Sequence, residues 1–144
     1  MRALFVFGPN LGALGSRDPD TYGSQTLEQI MEDVAKRGAE LGHQVMWRQS
    51  DHEGDLVGWL LGAREGGMDG IVINPGALTH YSYALRDAIE AAAVPVVEVH
   101  MTNIYAREEF RRRSVIAPVC RATIAGLGVG GYRFALEALA WITR

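Results

Sequence analysis

Ala3-Leu4-Phe5-Val6-Phe7-Gly8-Pro9 opens the chain with five apolar residues and then a stop. No polar residue alternates through this run, so a strand here needs cover on both faces, as in parallel sheets. Gly8-Pro9 is turn chemistry and ends it. Working outward, the same grammar returns. Gln44–Arg48, Ile71–Ile73, Val96–Val99 and Ala122–Ala125 read as further strands, each short and rich in apolar or β-branched residues.

Helical signals fill the gaps. Thr26-Leu27-Glu28-Gln29 has the form of a capping box, with Thr26 at the N-cap and Gln29 three residues on. Leu27, Ile30, Val34 and Leu41 then keep helical spacing, and Gly42 supplies the stop. Asp55–Arg64 predicts a helix with Leu56, Val57, Leu60 and Leu61 on its apolar side, closed by Gly66-Gly67. Ser82–Ala92 predicts another, Ile104–Arg111 a short one, and Tyr132–Ile142 the last. Strands alternating with helices imply an α/β domain. Five strands in this length point to a flavodoxin-like doubly wound parallel sheet, order 2-1-3-4-5, with helices on both faces. Residues 1–144 make one such domain.

Composition narrows the function classes. The 144 residues are 48% hydrophobic and 22% charged, with a formal net charge of -3. That balance suits a globular domain and excludes broad electrostatic binding to nucleic acid or an anionic membrane surface. Arg111-Arg112-Arg113 is a local basic run only. Cys120 is the single cysteine, so no intrachain disulfide and no thiolate zinc cluster can form. The first strand-like segment starts at once, and no apolar run reaches spanning length; a soluble, cytoplasmic protein is the expectation.

In doubly wound sheets ligands bind beyond the carboxyl ends of the strands, near the switch in strand order. Those ends carry unusual residues here. After the first strand come Gly8-Pro9-Asn10-Leu11-Gly12 and a polar stretch holding Arg17 and Tyr22. After the third comes Asn74-Pro75-Gly76-Ala77-Leu78-Thr79-His80, and the fourth runs through Glu98-Val99-His100-Met101-Thr102-Asn103. Turn preferences account for Pro9 and Gly76. They account poorly for Tyr22, His80, Glu98 and His100.

These blocks, in this order, resemble the type II 3-dehydroquinate dehydratases. Gly8-Pro9-Asn10-Leu11-Gly12 with Arg17-Asp18-Pro19 and Tyr22-Gly23 is similar to the family's N-terminal signature. Asn74–His80, Glu98-Val99-His100, Ala106–Arg111 and Gly126-Leu127-Gly128 resemble its later blocks, so the likeness spans nearly the whole chain. It implies a lyase that removes water from 3-dehydroquinate to give 3-dehydroshikimate, by anti elimination through an enolate, in the shikimate pathway or quinate breakdown. It implies no metal or other cofactor, and a homo-oligomer, a dodecamer built from trimers.

Carried over residue by residue, the resemblance makes Tyr22 the base. A free phenol ionises only near pH 10, and a guanidinium close by favours the phenolate; Arg17 is the matching residue. His100 becomes the general acid for the departing hydroxyl, oriented by Glu98, which lies two residues away on the same strand face. Asn10 holds a water against the developing enolate. Asn74 binds substrate and positions His100. The backbone N–H groups of Met101 and Thr102, the Thr102 hydroxyl, His80 and Arg111 anchor the carboxylate and ring hydroxyls. Arg107 is assigned to structural ion pairs with Glu108 or Glu109 or across a subunit contact. Asp87 corresponds to an acid that reaches a neighbouring subunit's site. The polar stretch from Arg17 to Gly23 suits a mobile lid.

Departures from the family pattern are Phe7 for Asn, Tyr81 for Thr, Tyr105 for a frequent His and Thr102 for Ser. Three rival readings compete with this one. Gly126-Leu127-Gly128-Val129-Gly130-Gly131 satisfies the dinucleotide-loop spacing but lies too near the end for the acidic residue that should follow, so it reads as a tight turn. A receiver or flavin carrier lacks its clustered aspartates, its lysine and its phosphate cradle. A relative dehydrating another cyclic hydroxy-keto acid would keep the same scaffold.

Overall fold

Along β1 (Arg2–Phe7) the side chains divide between two cores: Ala3, Phe5 and Phe7 enter one, Leu4 and Val6 the other. That division follows from the two-residue period of a strand. It is the reason the run carries no polar residue. The computed structural model describes residues 1–144. Its five strands are all parallel, in the order β2 (Gln44–Gln49), β1, β3 (Gly70–Asn74), β4 (Val96–His100), β5 (Ala122–Ala125).

On one face Leu27, Ile30, Met31 and Val34 of α2 (Leu27–Glu40) join Tyr132, Ala135, Leu136 and Leu139 of α5 (Gly130–Ile142) over Phe5, Phe7, Val72 and Val97. On the other, Leu56 and Leu60 of α3 (Glu53–Gly62) and Leu85, Ala88 and Ile89 of α4 (Tyr83–Ala91) cover Leu4, Val6, Ile71 and Ile73. Each fully buried leucine or isoleucine contributes about 1.5–3 kcal/mol, so these two layers supply the main drive to fold. The expected capping box is present: the Thr26 hydroxyl accepts from the Gln29 N–H, and the Gln29 side chain accepts from the Thr26 N–H. Gly42, in the left-handed region, stops that helix.

Some elements differ from expectation. Leu61 is half exposed, because it lies about 100° round the helix from Leu60 and off the buried stripe. Ile104–Arg111 is not one helix but two 3-10 turns, Ile104–Ala106 and Glu109–Arg112, separated by an extended Arg107. Only Ile104 of the eight residues is buried, so no apolar face drives a continuous helix there. Pro19–Tyr22 forms a short helical turn, α1, inside the segment expected as a lid. No helix is long and apolar enough to cross a membrane.

The strand order reverses at β1, which pairs with β2 on one side and β3 on the other, and this opens a crevice at the strands' carboxyl ends. Two loops close over it. Gly8 sits so near Pro75 that a Cβ there would lie 2.4 Å from the Pro75 carbonyl oxygen. The Gly8 N–H donates to the Asn74 carbonyl at 2.9 Å. The glycine-rich segment after β5 is the expected tight turn: Gly126 and Gly128 take positive φ, and the Gly128 N–H donates to the Met101 carbonyl at 2.9 Å.

Candidate active site

The crevice holds a cavity of about 170 Å³ lined by Asn10, Arg17, Tyr22, Asn74, His80, His100, Met101, Thr102, Arg107 and Arg111, with Pro9, Leu11, Gly76, Ala77 and Ile104 between them. That is the space of about six waters, enough for a small molecule and far too little for a polymer. Arginines 17, 107 and 111 line it and no carboxylate does, so it favours an anion. A wider groove at the amino ends of the strands, past Met1, Asp69, Pro95 and Arg121, is shallow and mixes both signs of charge.

Tyr22 ends α1, and its ring packs partly against the core. The lid segment is therefore docked here, through the one aromatic in it. The Arg17 guanidinium lies 4.8 Å from the ring centroid. Arg107 Nη1 donates to the Tyr22 hydroxyl at 3.0 Å, and its guanidinium carbon is 5.9 Å from the centroid. This corrects the assignment of Arg107 to structural ion pairs. It makes no salt bridge with Glu108 or Glu109, because the extended backbone at Arg107 sends its side chain inward instead. Two cations thus approach one phenol, Arg107 at its oxygen and Arg17 over its ring.

His100 closes β4 and is buried, with Glu98 wholly buried behind it. His100 Nε2 donates to Glu98 Oε1 at 2.7 Å, which leaves Nδ1 as the ring nitrogen free for the cavity. Burial pushes the Glu98 carboxyl up. The hydrogen bond and charge of His100, with the Thr79 and Ser114 hydroxyls, outweigh it and hold the carboxyl below its ordinary range. Ser114 Oγ donates across both carboxylate oxygens, at 2.7 and 3.0 Å, and Thr79 donates to Oε1. A charge so deep is tolerable only because both carboxylate oxygens are hydrogen-bonded. Sequence reasoning missed both hydroxyls; Thr79 sat inside a quoted block, whereas Ser114 gave no signal.

Asn74 differs from expectation. Its Oδ1 accepts from the Gly76 N–H at 3.2 Å and its Nδ2 donates to the Tyr132 hydroxyl at 2.8 Å, so it makes no hydrogen bond to His100. The Gly76 N–H fixes which end of the amide is oxygen, and the second Nδ2 hydrogen is left for the cavity. Phe7, where the resemblance would put Asn, meets the fully buried Tyr132 ring edge-on at 5.3 Å. Tyr81 and Tyr105, the other bulky departures, are exposed.

The anchoring corner is built largely from backbone. No acceptor in the chain takes the N–H of Met101 or Thr102. His80 Nδ1 donates to the Arg113 carbonyl at 2.8 Å, since a carbonyl can only accept, and this sets the tautomer. Arg111 pairs with Glu108 at the rim. Asp87 is exposed on α4 and does not line the cavity of its own chain. Cys120 is no nucleophile: burial, then the Glu98 charge, push its thiol up to about 12.

A phenol under two cations and a carboxylate-backed imidazole, facing one small cationic cavity on a parallel sheet, define an α/β enzyme of proton transfer on a small anion. The sequence model for dehydroquinase class II matches residues 1–140. A 3-dehydroquinate dehydratase of Deinococcus radiodurans is 58% identical over 137 residues, covering 95% of this chain and 96% of that protein. The crystal structure of a type II dehydroquinase from Butyrivibrio crossotus superposes with a TM-score of 0.94 at 42% identity, covering 97% of each chain. That of Propionibacterium acnes gives 0.90 at 42% identity over 99% of this chain and 95% of its own. The chain belongs to the class II dehydroquinase family.

Proposed function

We propose that this hydro-lyase converts 3-dehydroquinate to 3-dehydroshikimate, with Tyr22 as base and His100 as acid. The observation that carries the reading is the cavity itself: the doubly cation-flanked phenol and the Glu98-backed imidazole both open onto it.

As phenolate, Tyr22 takes the proton from the carbon next to the ketone, and the carbonyl oxygen gains the charge. Arg107 donates to the Tyr22 hydroxyl and Arg17 covers its ring, so both are placed to meet charge on the phenol oxygen as the proton moves. Asn10 holds a water that donates to the enolate oxygen. His100 then gives a proton to the hydroxyl, which lies on the face opposite the abstracted proton; the enolate collapses to the ketone, the conjugated carbon–carbon double bond forms and water departs. For that step His100 carries a proton on Nδ1 while Glu98 holds Nε2. Met101 and Thr102 N–H groups, with the Thr102 hydroxyl, take the carboxylate; His80, Arg111 and the free Asn74 N–H take ring hydroxyls. The Arg17–Gly23 segment opens to admit substrate and closes to exclude water. We read the working form as a cytoplasmic homododecamer of trimers, in which Asp87 approaches a neighbouring cavity. Whether it serves the shikimate pathway or quinate breakdown lies outside the site's chemistry, which is the same for both.

The test is turnover of 3-dehydroquinate by purified protein, followed by the ultraviolet absorbance of the conjugated product. Turnover unaffected by chelator or borohydride is expected, because the route uses neither metal nor lysine imine. Folded protein that leaves 3-dehydroquinate untouched would point to a relative acting on another cyclic hydroxy-keto acid.

A further inference from the structure

Asn10 is a non-glycine residue in the left-handed backbone region, at φ 70. Asparagine tolerates that region better than most residues, but it still has to be held there. Its side chain caps nothing in the turn that follows, so it is free to face the cavity it lines. The constraint falls on its backbone.

That constraint comes from β2. The Asn10 N–H donates to Asp51 Oδ1 at 2.9 Å, across 41 positions of sequence. The same oxygen accepts from Gln49 Nε2 at 3.1 Å, and this nitrogen also lies 3.2 Å from the Gly8 carbonyl. A carboxylate and an amide from the end of β2 thus grip the loop on both sides of Pro9. Farther on the loop closes against the same side chain: a Cβ at Gly12 would lie 2.8 Å from Gln49 Oε1. The grip is itself anchored, for the Ser50 N–H donates to the Phe7 carbonyl at 3.1 Å and Ser50 Oγ to Asp55 at 2.5 Å. Neither Gln49 nor Asp51 lines the cavity.

We propose that Asp51, supported by Gln49, is a positioning residue for the dehydration: its hold on the Asn10 N–H fixes the left-handed turn that aims the Asn10 amide at the water it holds against the reacting carbonyl. An N–H turned away from the cavity needs an acceptor, and a carboxylate oxygen gives a stronger one than a neutral group. Without it the turn relaxes toward ordinary φ and the amide swings off its mark. The proposal rests on the reading that Asn10 acts at the developing enolate.

The experiment compares Asp51→Ala, Asp51→Asn, Asn10→Ala and the Asn10→Ala/Asp51→Ala double variant by kcat, KM and thermal melting. Asp51→Ala should lower kcat by about 10- to 100-fold, as a misplacement near 1 Å does, with KM nearly unchanged. Asp51→Asn keeps an oxygen at the same place and should restore most of kcat. In the Asn10→Ala background, loss of Asp51 should cost less than about twofold, the mark of two residues acting through one. An equal kcat loss from Asp51→Ala in both backgrounds would overturn the proposal, as would a wild-type kcat in that variant while Asn10→Ala is slow. A wild-type kcat in Asn10→Ala would instead remove the role given to Asn10, and the proposal with it.

Discussion

Arg107 reaches the Tyr22 hydroxyl from a loop 85 positions further along the chain, donating from Nη1 at 3.0 Å. The contact ties the segment after β1 to the segment after β4, whose backbone also supplies Met101 and Thr102. Arg17 approaches the same phenol over its ring face rather than its oxygen. The two cations therefore act differently. Arg107 meets the hydroxyl oxygen directly through a hydrogen bond, and Arg17 covers the ring face.

Removing the direct contact should show in the base. Hydrogen bonds to charged groups are worth about 1.5–3 kcal/mol, so Arg107→Ala should lower kcat/KM by about 10- to 150-fold. Arg107→Lys keeps the charge without the fork and should fall between. Wild-type kcat/KM in Arg107→Ala would return Arg107 to a purely structural role.

The parallel sheet, its strand order and the residues at its carboxyl edge were legible because they follow from pattern. Continuous apolar runs such as Ala3–Phe7 admit one reading once helices flank them. What pattern could not carry was direction and partnership. Arg107 sits among Glu108 and Glu109, so local spacing pointed to ion pairs; only the extended backbone at that residue sends it to Tyr22. Asn74 lies one strand over from His100, yet Tyr132, 58 positions away, takes its amide. Ser114 lies between two 3-10 turns with no periodicity around it, and its place under Glu98 is set wholly by tertiary folding.

Glu98 links the site to stability. Its folded carboxyl is held below the ordinary value of 4.5, so its ionised form contributes stability above that pH, and the contribution is lost as pH falls through the lowered value. Glu98→Gln should cost about 3 kcal/mol at pH 7, as breaking a buried pair does. The gap between wild type and variant in urea midpoint should narrow as pH drops from 5 toward 3. Carboxylates common to both proteins cancel in that difference. Parallel curves would show that the Glu98 charge adds nothing to the fold.

Half-buried Cys120 offers a reading of its surroundings independent of activity. With its thiol pushed up to about 12 by burial and then by Glu98, almost no thiolate exists at pH 8. Iodoacetamide should leave native protein unlabelled for hours and label it promptly in denaturant. Rapid labelling of the native state would mean that this half-buried thiol ionises far more readily than its surroundings should allow.

Gly8 tests whether the site depends on the contact between its two loops. A methyl at this position would sit 2.4 Å from the Pro75 oxygen and 2.6 Å from the Pro75 carbon, both backbone atoms that no side-chain rotation can move. Gly8→Ala must therefore push the Pro9–Asn10 turn away from the Asn74–Gly76 turn, widening the cavity where Asn10 and Asn74 face it. Separation near 1 Å should cost about 100-fold in kcat, since proximity rather than chemistry is lost. Overpacking against backbone should also lower stability by about 1–3 kcal/mol. A variant that is destabilised by that amount yet keeps wild-type kcat would show that the enzyme tolerates looser loops than the geometry requires.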